Sequence, residues 1–147
     1  MIKHMDQLFA YDPNASGTKG LVFIGDKVLV YRRDENTSDF PLCLDLPGGG
    51  IEDKESPYEA FERELKEEFD LNLKPEDVSY CRAYSAVVDN NKTGYFVVAK
   101  LPMSAEQQIK FGNEGLEYML MTIEEYLSSK EAIPAFQKRI KDYLRNL

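Results

Sequence analysis

GGIEDKESPYEAFERELKEEFDL, residues 49–71, carries a helix together with its start signal. Ser56 stands as N-cap, Pro57 fits the first helical position, and Glu59 follows the cap by three residues, completing a capping box. The helix is therefore expected over Pro57–Phe69. At about 100° per residue, Tyr58, Phe61, Leu65 and Phe69 gather on one side, an apolar stripe suited to packing on a sheet. Glu64, Glu67 and Glu68 stand at i, i+3 and i+4, so their carboxylates share a neighbouring face. Nine acidic and three basic residues lie between Ile51 and Asp70, most of the chain's net charge of −8. Such repulsion costs stability unless a cation relieves it. Mg2+ or Mn2+ suit hard oxygen ligands, and the absence of histidine and thiolate from this stretch disfavours zinc.

A solvated acidic helix face is the plain reading of the glutamates alone. The joint spacing says more: Gly49, five residues, Glu55, seven residues, Arg63-Glu64-Leu65, one residue, Glu67-Glu68, one residue, Asp70-Leu71. This order resembles the Nudix box, and the flanking Leu46-Pro47-Gly48-Gly49-Gly50 resembles the same family. The box covers 23 of the 147 residues. One position departs from it, Asp70, where the family usually has glycine at a helix exit that favours left-handed backbone. Asp tolerates that conformation better than most residues, so the change touches local geometry and none of the expected ligands.

The resemblance implies Mg2+- or Mn2+-dependent hydrolysis of a diphosphate linkage by metal-activated water. It implies Glu64 and Glu68 as main metal ligands, Glu67 joining them for a second ion or through water, and the Gly48 carbonyl completing the shell. Glu55 and Arg63 would orient these groups, and Gly49 would let substrate approach the backbone. A general base would come from the box or from a later loop. Glu114, between Gly112 and Gly115, is the distal candidate, with Glu117 as the fallback and a plain surface glutamate as the alternative. Arg33 matches a place where the family often carries a cation near the phosphates, although strand-end arginines also simply face solvent. Tyr84 and Phe40 could stack on a base, but core packing is the better reading of both.

Outward from the box, Gly20–Ile24 and Lys27–Tyr31 flank Gly25-Asp26 and read as a hairpin. A short apolar stretch, Leu42–Leu46, precedes Pro47 and the glycines. Val78–Val88 and Gly94–Leu101 read as a second, long hairpin, and Leu116–Met121 as a further strand. Thr122 to Glu125 repeats the capping-box pattern before a short helix, and Ile133-Pro134 opens a closing one. This order indicates an α+β fold, an α/β/α sandwich of Nudix type whose mixed sheet is largely antiparallel. Residues 1–147 read as one domain with residues 1–15 as an amino-terminal arm, in which the lone histidine, His4, has no expected role.

The acidic balance, pI near 4.7, argues against affinity for duplex nucleic acid and makes a metal necessary for any anionic substrate. Cys43 and Cys81 are far apart, without a CxxC pair, and read as buried thiols of a reducing compartment. No apolar run reaches a membrane span and MIKHMDQLF lacks the apolar stretch of a signal peptide, so the expected location is the cytoplasm. The expected partner is a small nucleotide-like molecule; a homo-oligomer is compatible with the sequence, which carries no signal for one. Neither the proline of ADP-ribose hydrolases nor the tyrosine of dinucleoside polyphosphate hydrolases stands around Ala86–Val88, which leaves a nucleoside triphosphate, oxidised ones included, as the default substrate. The competing reading is a Nudix module that binds a nucleotide without cutting it. Isomerisation of an isoprenoid diphosphate, also known in the family, needs acid and thiol groups that have no place here.

Overall fold

A computed structural model describes residues 5–147; His4 lies outside them. The elements are α1 (Met5–Leu8), β1 (Ala15–Ile24), β2 (Lys27–Arg33), β3 (Leu44–Asp45), α2 (Pro57–Phe69), β4 (Val78–Ser85), β5 (Thr93–Leu101), β6 (Gly115–Met121), α3 (Ile123–Ser128) and α4 (Pro134–Arg145). One mixed sheet runs β3-β2-β1-β5-β4, with β6 also paired to β2. Of the strand pairs among the described residues, β1 with β5 is the parallel one.

Strand alternation sorts the core into two layers. Val22, Leu29, Tyr31 and Val97 point to the α2 side, where they meet Phe61, Leu65 and Phe69. Their neighbours Leu21, Val28, Val30, Phe96 and Val98 point the other way, onto Tyr126 of α3 and Phe136 and Ile140 of α4. Burying each large apolar side chain contributes roughly 1.5–3 kcal/mol, so the α2 stripe alone is a principal anchor.

The first hairpin differs from the expected one. β1 and β2 pair only at its tip, Phe23 with Val28 and Ile24 with Lys27. Beyond the tip they splay, because residues 43–50 insert between them. Gly20 and Thr18 of β1 donate N–H to the Pro47 and Gly49 carbonyls at 2.9 Å, and Arg33 of β2 donates to Cys43 at 2.9 Å. This wedge delivers the glycine run to the sheet centre. Part of the amino-terminal arm packs on the domain: Leu8 is fully buried in the α2-side core and the Phe9 ring lies tilted against Tyr58 at 5.0 Å. Burial of apolar surface draws in residues that turn formers alone made look detached. Cys81 is buried as expected, whereas Cys43 is only half-buried in the wedge.

α2 begins and ends where its sequence dictates. Glu59 N–H donates to Ser56 Oγ at 3.1 Å and Ser56 N–H to Glu59 Oε1 at 3.0 Å, a reciprocal cap. Asp70 closes the helix in left-handed backbone, φ 56° and ψ 34°, with its N–H on the Lys66 carbonyl and its carboxylate 2.7 Å from Lys66 Nζ. Asp70→Gly is therefore expected to leave the melting temperature unchanged or raise it, whereas Asp70→Val, with its branched Cβ at positive φ, lowers it. Thermal unfolding checks the order, and a glycine variant less stable than the valine one would contradict it.

Candidate active site

Two chain segments meet at the outer face of α2. Gly48 and Gly49 lie against it because nothing larger fits: at Gly48, with φ +126°, an added Cβ would stand 2.3 Å from the Thr18 carbonyl oxygen, and at Gly49 it would stand 2.7 Å from the Glu64 carboxyl carbon. On the other side the 110–115 loop docks on the carboxyl end of α2. Lys110 and Gly112 donate N–H to the Phe69 and Glu68 carbonyls at 3.0 and 2.8 Å, and Phe111 stacks on Phe69 at 5.6 Å.

Glu64, Glu68 and Glu114 thereby come together, each offering a carboxylate oxygen within 4.8 Å of the others. Glu68 is only 4% exposed and accepts the Gly48 N–H at 3.0 Å. Burial pushes its carboxyl up to about 8, opposed by the Lys19 ammonium and the Gly48 N–H and reinforced by Glu64 and Glu114. Burial likewise raises Glu64, against the pull of Arg63. Three crowded carboxylates, two of them reluctant to ionise, match the oxygen-rich donor set of a hard divalent cation.

Arg63 organises the rim. Its Nε and Nη2 fork onto Glu55 at 2.7 and 3.0 Å, Nη1 reaches Glu64 at 3.0 Å and Glu67 at 3.4 Å, and Nη2 also donates to the Gly50 carbonyl. The Arg63 hydrogen bond holds the Glu55 carboxyl below the usual range. Glu67, 53% exposed, sits beside Arg63 and outside the three-carboxylate group. Glu117 is also apart, bonded to Arg32 at 3.0 Å on β6.

Arg33 does line the cleft, but its guanidinium is committed to Asp45 at 2.8 Å, to Thr37 and to the Asp39 carbonyl. Asp45 is the hub that sequence reading missed. It also accepts from Lys19 Nζ at 3.0 Å and Tyr31 Oη at 3.1 Å, and Lys19 donates in turn to the Leu46 and Gly48 carbonyls at 3.1 Å. Burial alone would depress the Lys19 ammonium, yet Asp45, Tyr31 and Glu68 together hold it above its ordinary value. A lysine and an aspartate inside apolar runs, Thr18-Lys19-Gly20-Leu21 and Leu44-Asp45-Leu46, were the available signal.

The carboxylates line a cleft of about 490 Å³ to which Val87, Asp89, Phe136 and Arg139 also contribute. Phe40 lines it, whereas Tyr84 packs edge-on against Phe96 at 6.4 Å and donates to Asp142. A family model, the NUDIX domain, matches residues 16–144. The chain belongs to the Nudix family. The match extends well beyond the box and places the chain among pyrophosphohydrolases that generally depend on a divalent metal.

Solved Nudix structures agree in fold. The MutT protein of Methanosarcina mazei Go1 superposes with a TM-score of 0.71 at 23% identity, over 88% of this chain and 92% of that one. The bifunctional NMN adenylyltransferase/ADP ribose pyrophosphatase of Francisella tularensis, complexed with AMP and a manganese ion, gives 0.70 at 16% identity, over 92% of this chain and 42% of that one. A C. elegans Ap4A hydrolase gives 0.67 at 15% identity, over 89% and 99%. Comparison with curated proteins gives no match. Among the described residues, no helix is long and apolar enough to cross a membrane.

Proposed function

We propose that this Nudix protein hydrolyses a diphosphate linkage in a nucleotide-like substrate, with Mg2+ or Mn2+ held by Glu64, Glu68 and Glu114. The observation that carries the reading is the convergence of these carboxylates in a ligand-sized cleft. A bound divalent cation would neutralise diphosphate charge and acidify a coordinated water. Glu68, fixed by the Gly48 N–H, and Glu64, steered by Arg63, keep their oxygens directed at one point. Arg63 and Glu55 act as positioning residues, and Glu67 would join the metal ligands for a second ion through water. Glu114, on a loop of its own, remains the candidate general base as well as a ligand. Gly49, where a side chain would collide with the Glu64 carboxylate, keeps the backbone bare toward the substrate, and Arg33, held by Asp45, lines the cleft that would take the phosphates. A nucleoside triphosphate is the first substrate to try, since the neighbours named above act on ADP-ribose and Ap4A, which share its phosphoanhydride chemistry.

Incubation with a panel of nucleoside triphosphates, nucleotide sugars and dinucleotides in Mg2+ should release a nucleoside monophosphate from at least one of them, with no product after chelation. A ligand that raises the melting temperature yet survives long incubation with metal would instead favour a binding module.

A further inference from the structure

Arg139 is a buried cation of the cleft that Asp45, the carboxylates and their partners leave unexplained. It is 5% exposed, and its single hydrogen bond among the described residues runs from Nη2 to the Ser85 carbonyl at 3.0 Å. No carboxylate among the described residues pairs with it. Tyr84 and Phe136 flank the guanidinium at 4.8 and 5.4 Å, which offsets part of the cost of burial. Among the described residues, four of its five N–H donors have no protein acceptor. A guanidinium held this deep gains most from an anionic partner, and the donors it leaves open face the cleft rather than sealed protein.

Arg139 and Val87 also line a second groove, of about 590 Å³, between β4 and α4. Lys138, Lys141 and Arg145 border that groove against a single acid, Asp142, in a chain whose net charge is −8. Asp142 is itself occupied by Tyr84 and Arg145. The cleft thus has an acidic part, Glu64, Glu68 and Glu114, suited to a metal, and through Arg139 and Val87 it adjoins a cationic groove.

We infer that the substrate carries a second phosphate, separate from the diphosphate that is cut, and that Arg139 with Lys138 and Lys141 binds it. A planar fork flanked by ammonium groups suits a dianionic phosphate better than a neutral acceptor. The inference rests on the diphosphate-hydrolase reading for what happens at the acidic part, but the phosphate site itself can be tested without turnover.

The metal-free protein is titrated with AMP, adenosine 2′,5′-bisphosphate and adenosine 3′,5′-bisphosphate. One bisphosphate should bind at least about 10-fold tighter than AMP, equivalent to about 1.4 kcal/mol. The advantage should fall below about 3-fold in Arg139→Gln, and should also shrink in Lys138→Gln/Lys141→Gln, whose exposed positions spare the core. Because each protein is its own reference, a general loss of folding cannot imitate a loss of preference. Equal affinity for all three ligands overturns the inference, as does a preference that survives both variants. If the 2′,5′-bisphosphate is the one preferred, NADP+ should be cut in Mg2+ with a higher kcat/KM than NAD+. A bisphosphate preference without hydrolysis of either dinucleotide or any member of the earlier panel would sink the hydrolase reading and leave the phosphate site standing.

Discussion

Glu68→Gln is expected to lower metal-dependent turnover by about 10²–10³-fold, the loss that follows when a ligand stabilising several kcal/mol of transition-state charge is neutralised. Gln keeps the size of the side chain and an oxygen to accept the Gly48 N–H, so the wedge stays in place. The same substitution should not destabilise the metal-free protein, and the pH dependence shows why. Folding raises the Glu68 carboxyl from its ordinary range to about 8. A raised acid favours the fold while protonated: that contribution is complete below the unfolded value of about 4.3 and is lost as pH climbs through about 8. In chelator, wild type should therefore lose stability between about pH 5 and 9 relative to Glu68→Gln, and Mg2+ should restore it. Thermal unfolding across that range checks this; a gap that stays constant with pH contradicts it.

Asp45→Asn is expected to cost about 3 kcal/mol, a fall in melting temperature of about 10 °C for a domain of this size. Asp45 is 1% exposed and its Oδ2 receives Lys19, Tyr31 and Arg33, while Oδ1 receives the Leu46 N–H at 2.7 Å. Asn removes the charge and sets an amide donor where only acceptors fit, leaving two cations facing each other. Lys19 and Arg33 keep some access to water, which holds the cost at the low end for a broken buried pair. Because Lys19 also secures the Leu46 and Gly48 carbonyls, activity should fall along with stability. Thermal unfolding and rate measurement on one preparation test both, and a melting temperature within about 2 °C of wild type would show the hub to be dispensable.

What the sequence made legible was local. The Ser56–Glu59 box, Pro57 and the Tyr58–Phe69 stripe lie within one helix, so its boundaries could be read directly. The Thr122–Glu125 box placed α3 in the same way. The splayed hairpin could not be read, because β1 takes its long partner, β5, from some eighty residues away and the 43–50 wedge is specified by register. Lys19 and Asp45 were hidden for that reason, each looking like an ordinary interruption of an apolar run. Arg139 reads in sequence as one charge among many on an amphipathic helix, and only burial separates it from Lys138. Glu64 and Glu68 could be placed on one face by helical spacing, but the direction of Glu67 is set by Arg63, which competes for its carboxylate. The glycines around Glu114 pointed to a close approach; the contact of Phe111 with Phe69 that delivers it depends on tertiary packing.

Titration of Mn2+ into the protein at pH 8.5, followed by the loss of the free-ion paramagnetic resonance signal, tests most directly whether α2 and the 110–115 loop build one metal site. Wild type should bind, and Glu64→Gln, Glu68→Gln and Glu114→Gln should each weaken binding by about 10-fold or more, about 1.4 kcal/mol apiece. Mn2+ affinity unchanged in all three variants would contradict a site formed by these carboxylates.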